Sequence, residues 1–453
     1  MSELPKGWAA ATLNNLLGAG GLFSDGDWVE SKDQDPDGAN RLLQLADIGD
    51  GLFVNKSSRY VNDEKFSSLN CTELKEGDVL IARMPDPLGR ACLMPAIPQR
   101  CLTVVDVAVF RVGETGVSNK WLMYFLNSSP VRQEIELNSS ETTRKRISRG
   151  KLGEIVLPIP PLAEQTRIAA KLDELLAQVD NLKARIDGIP ALLKRFRQSV
   201  LAAAVSGRLT EEWRGWPVNT YETEPLGKLV GEPLRNGKSV RDGNGPRVLR
   251  LSALKPSGID FRESKAGEWS GIDVERYLVQ QSDFLVSRGN GSKELVGRGG
   301  LVSHSTHSMA YPDTMIRIRP FAEKLNPRFL SLIWNSQVVR LQIESVARTT
   351  AGIWKISQGD LESLKLPLPD IAEQTEIVRR VEQLFAFADQ LEARVKAAQA
   401  RIDRLTQSIL AKAFRGELVP QDSTDEPASV LLERIKAQRA AAPKAKRGRR
   451  VSA

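Results

Sequence analysis

Apolar residues fall every three to four positions along two stretches of this chain. In the later one they stand at Ile377, Val381, Leu384, Ala388, Leu391, Val395, Ala398, Ile402, Leu405 and Ile409. The steps alternate four and three, the 3.5-residue period of a coiled-coil seam. From about Ile371 to Phe414 such a helix is roughly 65 Å long at about 1.5 Å per residue. The earlier stretch runs through Ile168, Leu172, Leu175, Val179, Leu182, Ile186, Ile189, Leu193, Phe196 and Val200. Gly188 and Pro190 interrupt it, and proline removes a helix hydrogen bond, so a break or kink is expected there. Elsewhere, short apolar runs such as Val79-Leu-Ile81 and Phe284-Leu-Val286 read as buried strands. A last short helix is expected over 427–440, with Val430, Leu431 and Ile435 on one side.

The two helical stretches are copies. Leu157-Pro-Ile-Pro-Pro-Leu-Ala-Glu-Gln-Thr166 recurs as Leu366-Pro-Leu-Pro-Asp-Ile-Ala-Glu-Gln-Thr375, and the match continues without a gap to Gly207 and Gly416. The segments between correspond more faintly. Gly7-Trp8 faces Gly215-Trp216, Asp78–Arg83 faces Asp283–Arg288, Gly89-Arg90 faces Gly297-Arg298, Asn127-Ser128 and Arg132 face Asn335-Ser336 and Arg340, and Ser148 faces Ser357. The chain therefore reads as one unit twice: a globular domain of mixed α/β content, then a long helix. Proline holds its predecessor extended, so each Leu-Pro-x-Pro is a rigid lead-in to its helix. A long helix cannot bury an apolar stripe alone, and two matching helices supply each other's partner. A pseudo-two-fold arrangement makes them antiparallel. The expected seam residues are Leu172, Leu175, Val179 and Leu182 with Leu384, Leu391, Val395 and Ile402.

The expected class is α+β, with two globular domains joined by two long helices forming an antiparallel coiled coil. The boundaries are 1–156 for the first domain, 157–214 for the first lead-in and helix, 215–365 for the second domain, 366–419 for the second helix, and 420–453 for a short helix and basic tail.

Charge narrows the function. The 453 residues carry a net +8, but residues 1–154 are net −3, with 18 basic and 21 acidic side chains. Six basic residues and no acid lie from Gln438 onward, in an end expected to be disordered beyond Pro443. A basic balance points to an acidic partner without identifying it. No apolar stretch is long enough to span a membrane. The first residues lack the basic and apolar regions of a secretory signal, and three cysteines make no disulfide framework. A cytoplasmic location is expected.

Catalytic patterns are weak. Gly231–Ser239 is one residue too long for a phosphate-binding Walker loop. Gly289-Asn-Gly291 lacks the third glycine of a dinucleotide fingerprint. His304 and His307 have no neighbouring cysteine pair or carboxylate helix to complete a metal site. Asp242 with Glu263-Ser-Lys265 has only loose nuclease-like spacing and no counterpart in the first copy. Neither an Asn-Pro-Pro-aromatic nor an Asp-Pro-Pro-Tyr tetrapeptide of amino-methyltransferases occurs. The chain is read as non-catalytic.

Recognition remains. Each strand ends in an arginine and a Gly/Pro-rich loop that closes on another: Arg83 to Arg90, and Arg288 through Lys293 to Arg298. Arginine can bind guanine O6 and N7 bidentately, and glycine lets backbone approach phosphate. A second cationic segment precedes each Leu-Pro-x-Pro: Arg144, Lys145 and Arg146 beside Thr142 and Thr143, and Arg348 and Lys355 beside Thr349 and Thr350. Hydroxyls and cations together suit phosphate contacts. A coiled-coil scaffold with two protein-binding domains is the alternative, and a self-sufficient nuclease or methyltransferase a third.

The order of domain, Leu-Pro-x-Pro-x-x-Ala-Glu-Gln helix, domain and matching helix, opened by Leu4-Pro-Lys-Gly-Trp8, resembles the specificity subunits of type I restriction–modification systems. The resemblance covers nearly the whole chain and is strongest over 157–213 and 366–433, including Ala413–Val419 and Pro427–Leu432. It implies two target recognition domains, each reading half of a split, asymmetric double-stranded DNA site. It implies helices that set the gap between the half-sites and dock two modification subunits. Those partners would bring S-adenosylmethionine for adenine methylation, and two restriction subunits would bring ATP- and Mg-dependent translocation and cleavage. No cofactor or metal is expected on this chain.

Overall fold

A computed structural model describes residues 4–69, 71–114, 116–140, 145–217, 220–255, 258–303, 309–350 and 352–441. The chain divides into two compact units. The first comprises residues 1–186 and 398–453, the second residues 187–397. Each takes a globular part and a stretch of both long helices. The Ile371–Phe414 helix is continuous and belongs to the second unit up to Ala397 and to the first from Ala398.

The first unit is built on a four-stranded antiparallel sheet in the order Leu22–Asp25, Val107–Arg111, Val79–Ala82, Ala91–Leu93. Val79–Ala82 is wholly buried, as its uninterrupted apolar run requires. A smaller sheet sets Asn40–Leu43 parallel to Cys101–Thr103 and antiparallel to Tyr60–Val61. The second unit repeats the plan. Its four strands run Arg235–Asn236, Met315–Ile318, Phe284–Ser287, Gly299–Leu301, and Asp242–Leu249 lies parallel to Met309–Ala310. Helices Asn119–Leu126 and Ser129–Leu137 in the first unit correspond to Pro327–Trp334 and Gln337–Val346 in the second.

The Leu-Pro-x-Pro lead-ins are edge strands. Leu157 pairs with Ala11, and Leu366 pairs with Glu224. The Ala-Glu-Gln that follows locks each helix to its own globular part. Gln165 donates to the Pro160 carbonyl at 2.9 Å and accepts from the Ser118 amide at 2.8 Å. Gln374 donates to Pro369 at 2.9 Å and Lys324 at 2.8 Å, and accepts from Asn326 at 2.8 Å. Both amides are buried and satisfied, which holds helix and domain in one orientation. The glutamates differ. Glu164 accepts from the Trp8 indole at 3.0 Å. Glu373 accepts from Thr210 at 2.6 Å, Tyr221 at 2.7 Å and the buried Arg214 guanidinium.

Within each unit the long helices run antiparallel. In the first, Ile168, Ala169 and Leu172 pack with Leu410, Ala413 and Phe414, and Lys183 meets Asp403 further along. In the second, Val200, Ala204 and Val205 pack with Ile377, Val378 and Val381, and Arg197 meets Asp389 and Glu392. Leu172, Val179, Val395 and Ile402 are buried on the seam. Leu175, Leu384 and Leu391 are half-buried. Leu182 departs from expectation at 47% exposed, because the cover of the stripe thins toward the interruption at Gly188. There the Leu162–Asp187 helix ends and the Ile189–Val205 helix begins, with a proline in its first turn where a missing amide costs nothing.

The last helix, Ala428–Ala441, packs on the first unit through Ala428, Leu431 and Ile435. Arg167 pairs with Asp425 at 2.6 Å in the turn before it. Val430 stays exposed, so it is not part of the buried side anticipated from the sequence. The basic end beyond Pro443 lies outside the described residues.

Candidate nucleic-acid interface

In each unit the two cationic segments singled out in the sequence come together. The Ile147 amide donates to the Arg83 carbonyl at 3.1 Å, and the Ile356 amide to the Arg288 carbonyl at 2.9 Å. Glycine is required where each loop turns back. Gly89 (φ +79) and Gly297 (φ +68) lie so close to Ile135 and Ile343 that an added Cβ would approach each at 2.5 Å. An arginine from the second domain helix then pins the loop. Arg132 reaches the Leu88 carbonyl at 3.4 Å, and Arg340 reaches Val296 at 3.1 Å.

The frame arginines of the first unit are not on the surface. Arg83 is 6% and Arg90 7% exposed. Arg83 donates to Ile147 at 3.0 Å and Val105 at 2.9 Å and pairs with Asp25. Arg90 spends every nitrogen on backbone carbonyls: Ile48 at 2.6 Å, Leu45 at 2.8 Å, Pro87 at 2.9 Å and Met84 at 3.4 Å. Burial pushes both guanidiniums below the usual arginine range, yet they stay charged at neutral pH. Two residues expected to reach a ligand are instead internal ties that shape the Arg83–Arg90 loop. Their signal in the sequence, an arginine at each end of a Gly/Pro-rich loop, is the same for a reader and for a tie.

The surface cations of this unit lie beside them. Lys145 is exposed and pairs with Glu136 at 2.8 Å. Arg146 donates to Val105 at 2.9 Å and stands 3.5 Å from Asp106. Lys151, not anticipated from the sequence, joins Arg83 and Arg146 around a small cavity. Arg144, Thr142 and Thr143 lie outside the described residues, as do His304 and His307.

The second unit exposes its cations. Arg348–Thr350 and Ile353–Lys355 form a hairpin, and Gly289–Asn290 adds a third strand. Arg348 stands directly opposite Lys355. Side chains on opposed residues share a face about 5 Å apart, and like charges so placed repel. Alternation puts Ile353, itself exposed, on that same face. Arg288, immediately before the third strand, is exposed as well. Among the described residues none of Arg288, Arg348 and Lys355 has a side-chain hydrogen bond or ion pair. On the other face Lys293 lies 5.0 Å over the Trp354 ring, a cation–π contact. Arg298 is half-buried beside Arg340. Exposed cations without counterions among the described residues thus cluster on one small three-stranded sheet, an arrangement that favours an anionic ligand.

Other chemistry is sparse. Among the described residues there is no group of three or more histidine, cysteine, aspartate or glutamate side chains able to hold a metal ion. The three thiols are unpaired, and burial pushes Cys92 up to about 12, far from nucleophilic. No helix among the described residues is long and apolar enough to cross a membrane.

The sequence matches the family model of the type I restriction modification DNA specificity domain twice, over residues 43–191 and 260–398. The chain belongs to the type I restriction–modification specificity subunits. It is 42% identical over 369 residues to the type I restriction enzyme EcoKI specificity subunit of Escherichia coli strain K12, covering 79% of each chain. It is 40% identical over 344 residues to the StySPI specificity subunit of Salmonella potsdam, covering 72% of this chain and 73% of that one. Its fold is that of the HsdS subunit of Thermoanaerobacter tengcongensis, at a TM-score of 0.57 and 18% identity over 92% of this chain and 98% of that one. A chain from a study of assembly and conformational transition in the type I R-M system gives a TM-score of 0.64, also at 18% identity, covering 92% of this chain and all of that one. A specificity subunit serves DNA sequence recognition, and in this one two copies of the specificity domain are present. The repeat legible in the sequence is the repeat of that domain.

Proposed function

We propose that this specificity subunit reads a bipartite, asymmetric DNA target, one half-site per recognition domain, and that it does no chemistry of its own. The boundaries proposed for the recognition domains are 1–156 and 215–365. In the second domain the readers are Arg288, Lys293, Arg298, Arg348 and Lys355. In the first they are Arg144, Lys145 and Arg146, with Arg83 and Arg90 shaping the loop from within. The single observation that carries this reading is the opposed Arg348–Lys355 pair beside Arg288. Three cations without counterions among the described residues are held together by backbone hydrogen bonds, which stabilises an anionic partner more than the free chain.

The helices, through Leu172, Leu175, Val179, Leu182, Leu384, Leu391, Val395 and Ile402, set the distance between the domains and dock two modification subunits. Two weak half-site contacts joined by a stiff connector gain affinity through effective concentration. Partners supply the chemistry: adenine methylation with S-adenosylmethionine by the modification subunits, and ATP- and Mg-dependent restriction by two restriction subunits in the cytoplasm. Methylome sequencing of cells expressing this chain with its modification subunit tests the reading. A split motif with methylated adenine in both halves supports it. An uninterrupted motif, or none together with no salt-dependent DNA binding by the complex, overturns it and favours a protein-binding scaffold.

A further inference from the structure

The two copies of the domain differ at one position in a way that their shared fold does not require. In the first, Ser148 caps the Arg149–Gly153 helix, its hydroxyl accepting from the Lys151 amide at 3.2 Å. In the second, the equivalent Ser357 caps Gln358–Glu362 and Asp360 stands where Lys151 does. The Asp360 carboxylate turns back onto Ser357, taking its amide at 2.8 Å and its hydroxyl at 2.6 Å. That is a reciprocal capping box. In the first copy a lysine cannot make that return bond, and a cavity of about 250 Å³ lies beside it.

Among the described residues its lining is Arg83, Asn138, Ser140, Arg146, Ser148 and Lys151, three cations and three neutral polar side chains. Arg83 and Arg146 both donate to the Val105 carbonyl at 2.9 Å, so two guanidiniums are held side by side. Asp25 and Asp106 offset them from outside the lining. Lys151 has no side-chain partner among the described residues. Nε of Arg146 is buried and makes no hydrogen bond. An unsatisfied buried donor is costly unless something accepts from it. Ser148 already accepts from an amide, which leaves its hydroxyl hydrogen to donate. The cavity thus offers donors and positive charge and has room for an anion with hydration water, since a water occupies about 30 Å³.

We propose that this cavity is an oxyanion site that holds one backbone phosphate of the DNA bound by the first recognition domain, through a lysine whose place is taken by Asp360 in the second. The inference rests on the DNA-reading function proposed above. Phosphate is the matching chemistry: guanidinium and ammonium groups bind it with charge-assisted bonds, and the Ser148 hydroxyl adds a donor to one of its oxygens. It would anchor the net-acidic first domain in register without reading a base.

The test uses the full chain in complex with its modification subunit. Target duplexes carry a neutral methylphosphonate at each backbone position in turn across both half-sites. The wild type is expected to lose about three- to tenfold in affinity at one position of one half-site. Lys151→Gln should weaken unmodified DNA by a similar factor, lower the salt slope by about one, leave base preference unchanged, and lose the penalty at that position alone. Lys56→Gln, which removes an exposed charge of the same unit outside the lining, should keep the penalty. If Lys151→Gln binds as the wild type does, or retains every penalty, the proposal is wrong. If inorganic phosphate raises the Tm of the wild type but not of Lys151→Gln while no methylphosphonate position is affected, the cavity is a site for free anions and the DNA contact is refuted. Absence of any salt-dependent DNA binding by the complex would instead overturn the DNA-reading function itself.

Discussion

Replacing Lys355 by glutamate is expected to stabilise the free chain while weakening its hold on DNA. Lys355 faces Arg348 across the hairpin, and both side chains are exposed. The substitution turns a repulsive cross-strand pair into an attractive one. Cross-strand pairs are worth about 0.2–1 kcal/mol, and solvent screens an exposed pair, so a gain of about 0.5–1 kcal/mol in low salt is the reasonable range. In a unit of this size that corresponds to a rise of roughly 1–4 °C in Tm. On DNA the sign reverses. Each phosphate contact contributes about 0.9 to the slope of log affinity against log salt. Between about 50 and 200 mM salt, loss of one contact therefore changes the ratio of affinities by about 3.5-fold, or about 0.7 kcal/mol. Reversal of charge adds repulsion beyond that. Thermal melts at low and high salt measure the first effect, and fluorescence anisotropy of labelled target duplex with the modification subunit, titrated in salt, measures the second. Lys355→Gln should fall between on both scales. A lower Tm for Lys355→Glu with DNA affinity intact would refute the reasoning, because the pair would then be stabilised by something other than an absent anion.

Arg90→Ala should destabilise the chain by about 2–4 kcal/mol in urea unfolding, since four carbonyls, that of Ile48 fully buried, lose their donor; a purely sequence-selective loss of DNA binding at unchanged stability would make Arg90 a base reader after all. Glu373→Gln leaves the Arg214 guanidinium buried without its countercharge and should cost about 3–5 kcal/mol, whereas Glu373→Leu with Arg214→Met should cost less than the single change in the same assay. Leu172→Ala should cost about 2–5 kcal/mol and Leu182→Ala under about 1 kcal/mol by denaturant titration, and equal losses would contradict the thinning seam. Burial raises the Glu164 carboxyl above its ordinary 4.5. The folded chain keeps that proton longer than the unfolded one, so its contribution is full below pH 4.5 and falls as pH rises through the raised value. Glu164→Gln should flatten that limb of a stability–pH profile, and an unchanged profile would show that Glu164 does not carry it.

Much of the architecture was visible in the order of residues because it is local or periodic. A 3.5-residue apolar step is a property of consecutive side chains, so both long helices and the interruption at Gly188-Ile-Pro190 could be placed beforehand. Leu-Pro-x-Pro could be read as extended because proline constrains its own neighbour. The doubled Ala-Glu-Gln announced the repeat, although what Gln165 and Gln374 do, tying a helix to the amide of Ser118 or Asn326, appears only when segments some fifty residues apart are brought together. Val430 shows the limit of periodicity: it lies on the helix beside Leu431, but the surface against which that helix packs leaves it in solvent.

The candidate interface was legible as segments and not as surfaces. That Arg83 precedes a glycine-rich loop, as Arg288 does, follows from the chain itself. Whether the guanidinium faces solvent depends on distant groups. Asp25 and the Val105 and Ile147 carbonyls draw Arg83 inward, and no described group does the same for Arg288. Lys151 and Asn138 gain meaning only from the cavity that they share with Arg146. The repeat, the helices and their lead-ins are written in the order of residues, since they depend on spacing and on the conformational limits of single residues. The tertiary structure alone decided which cations are free to meet a phosphate, because burial and pairing of a charge are set by groups that the chain brings near only when it folds.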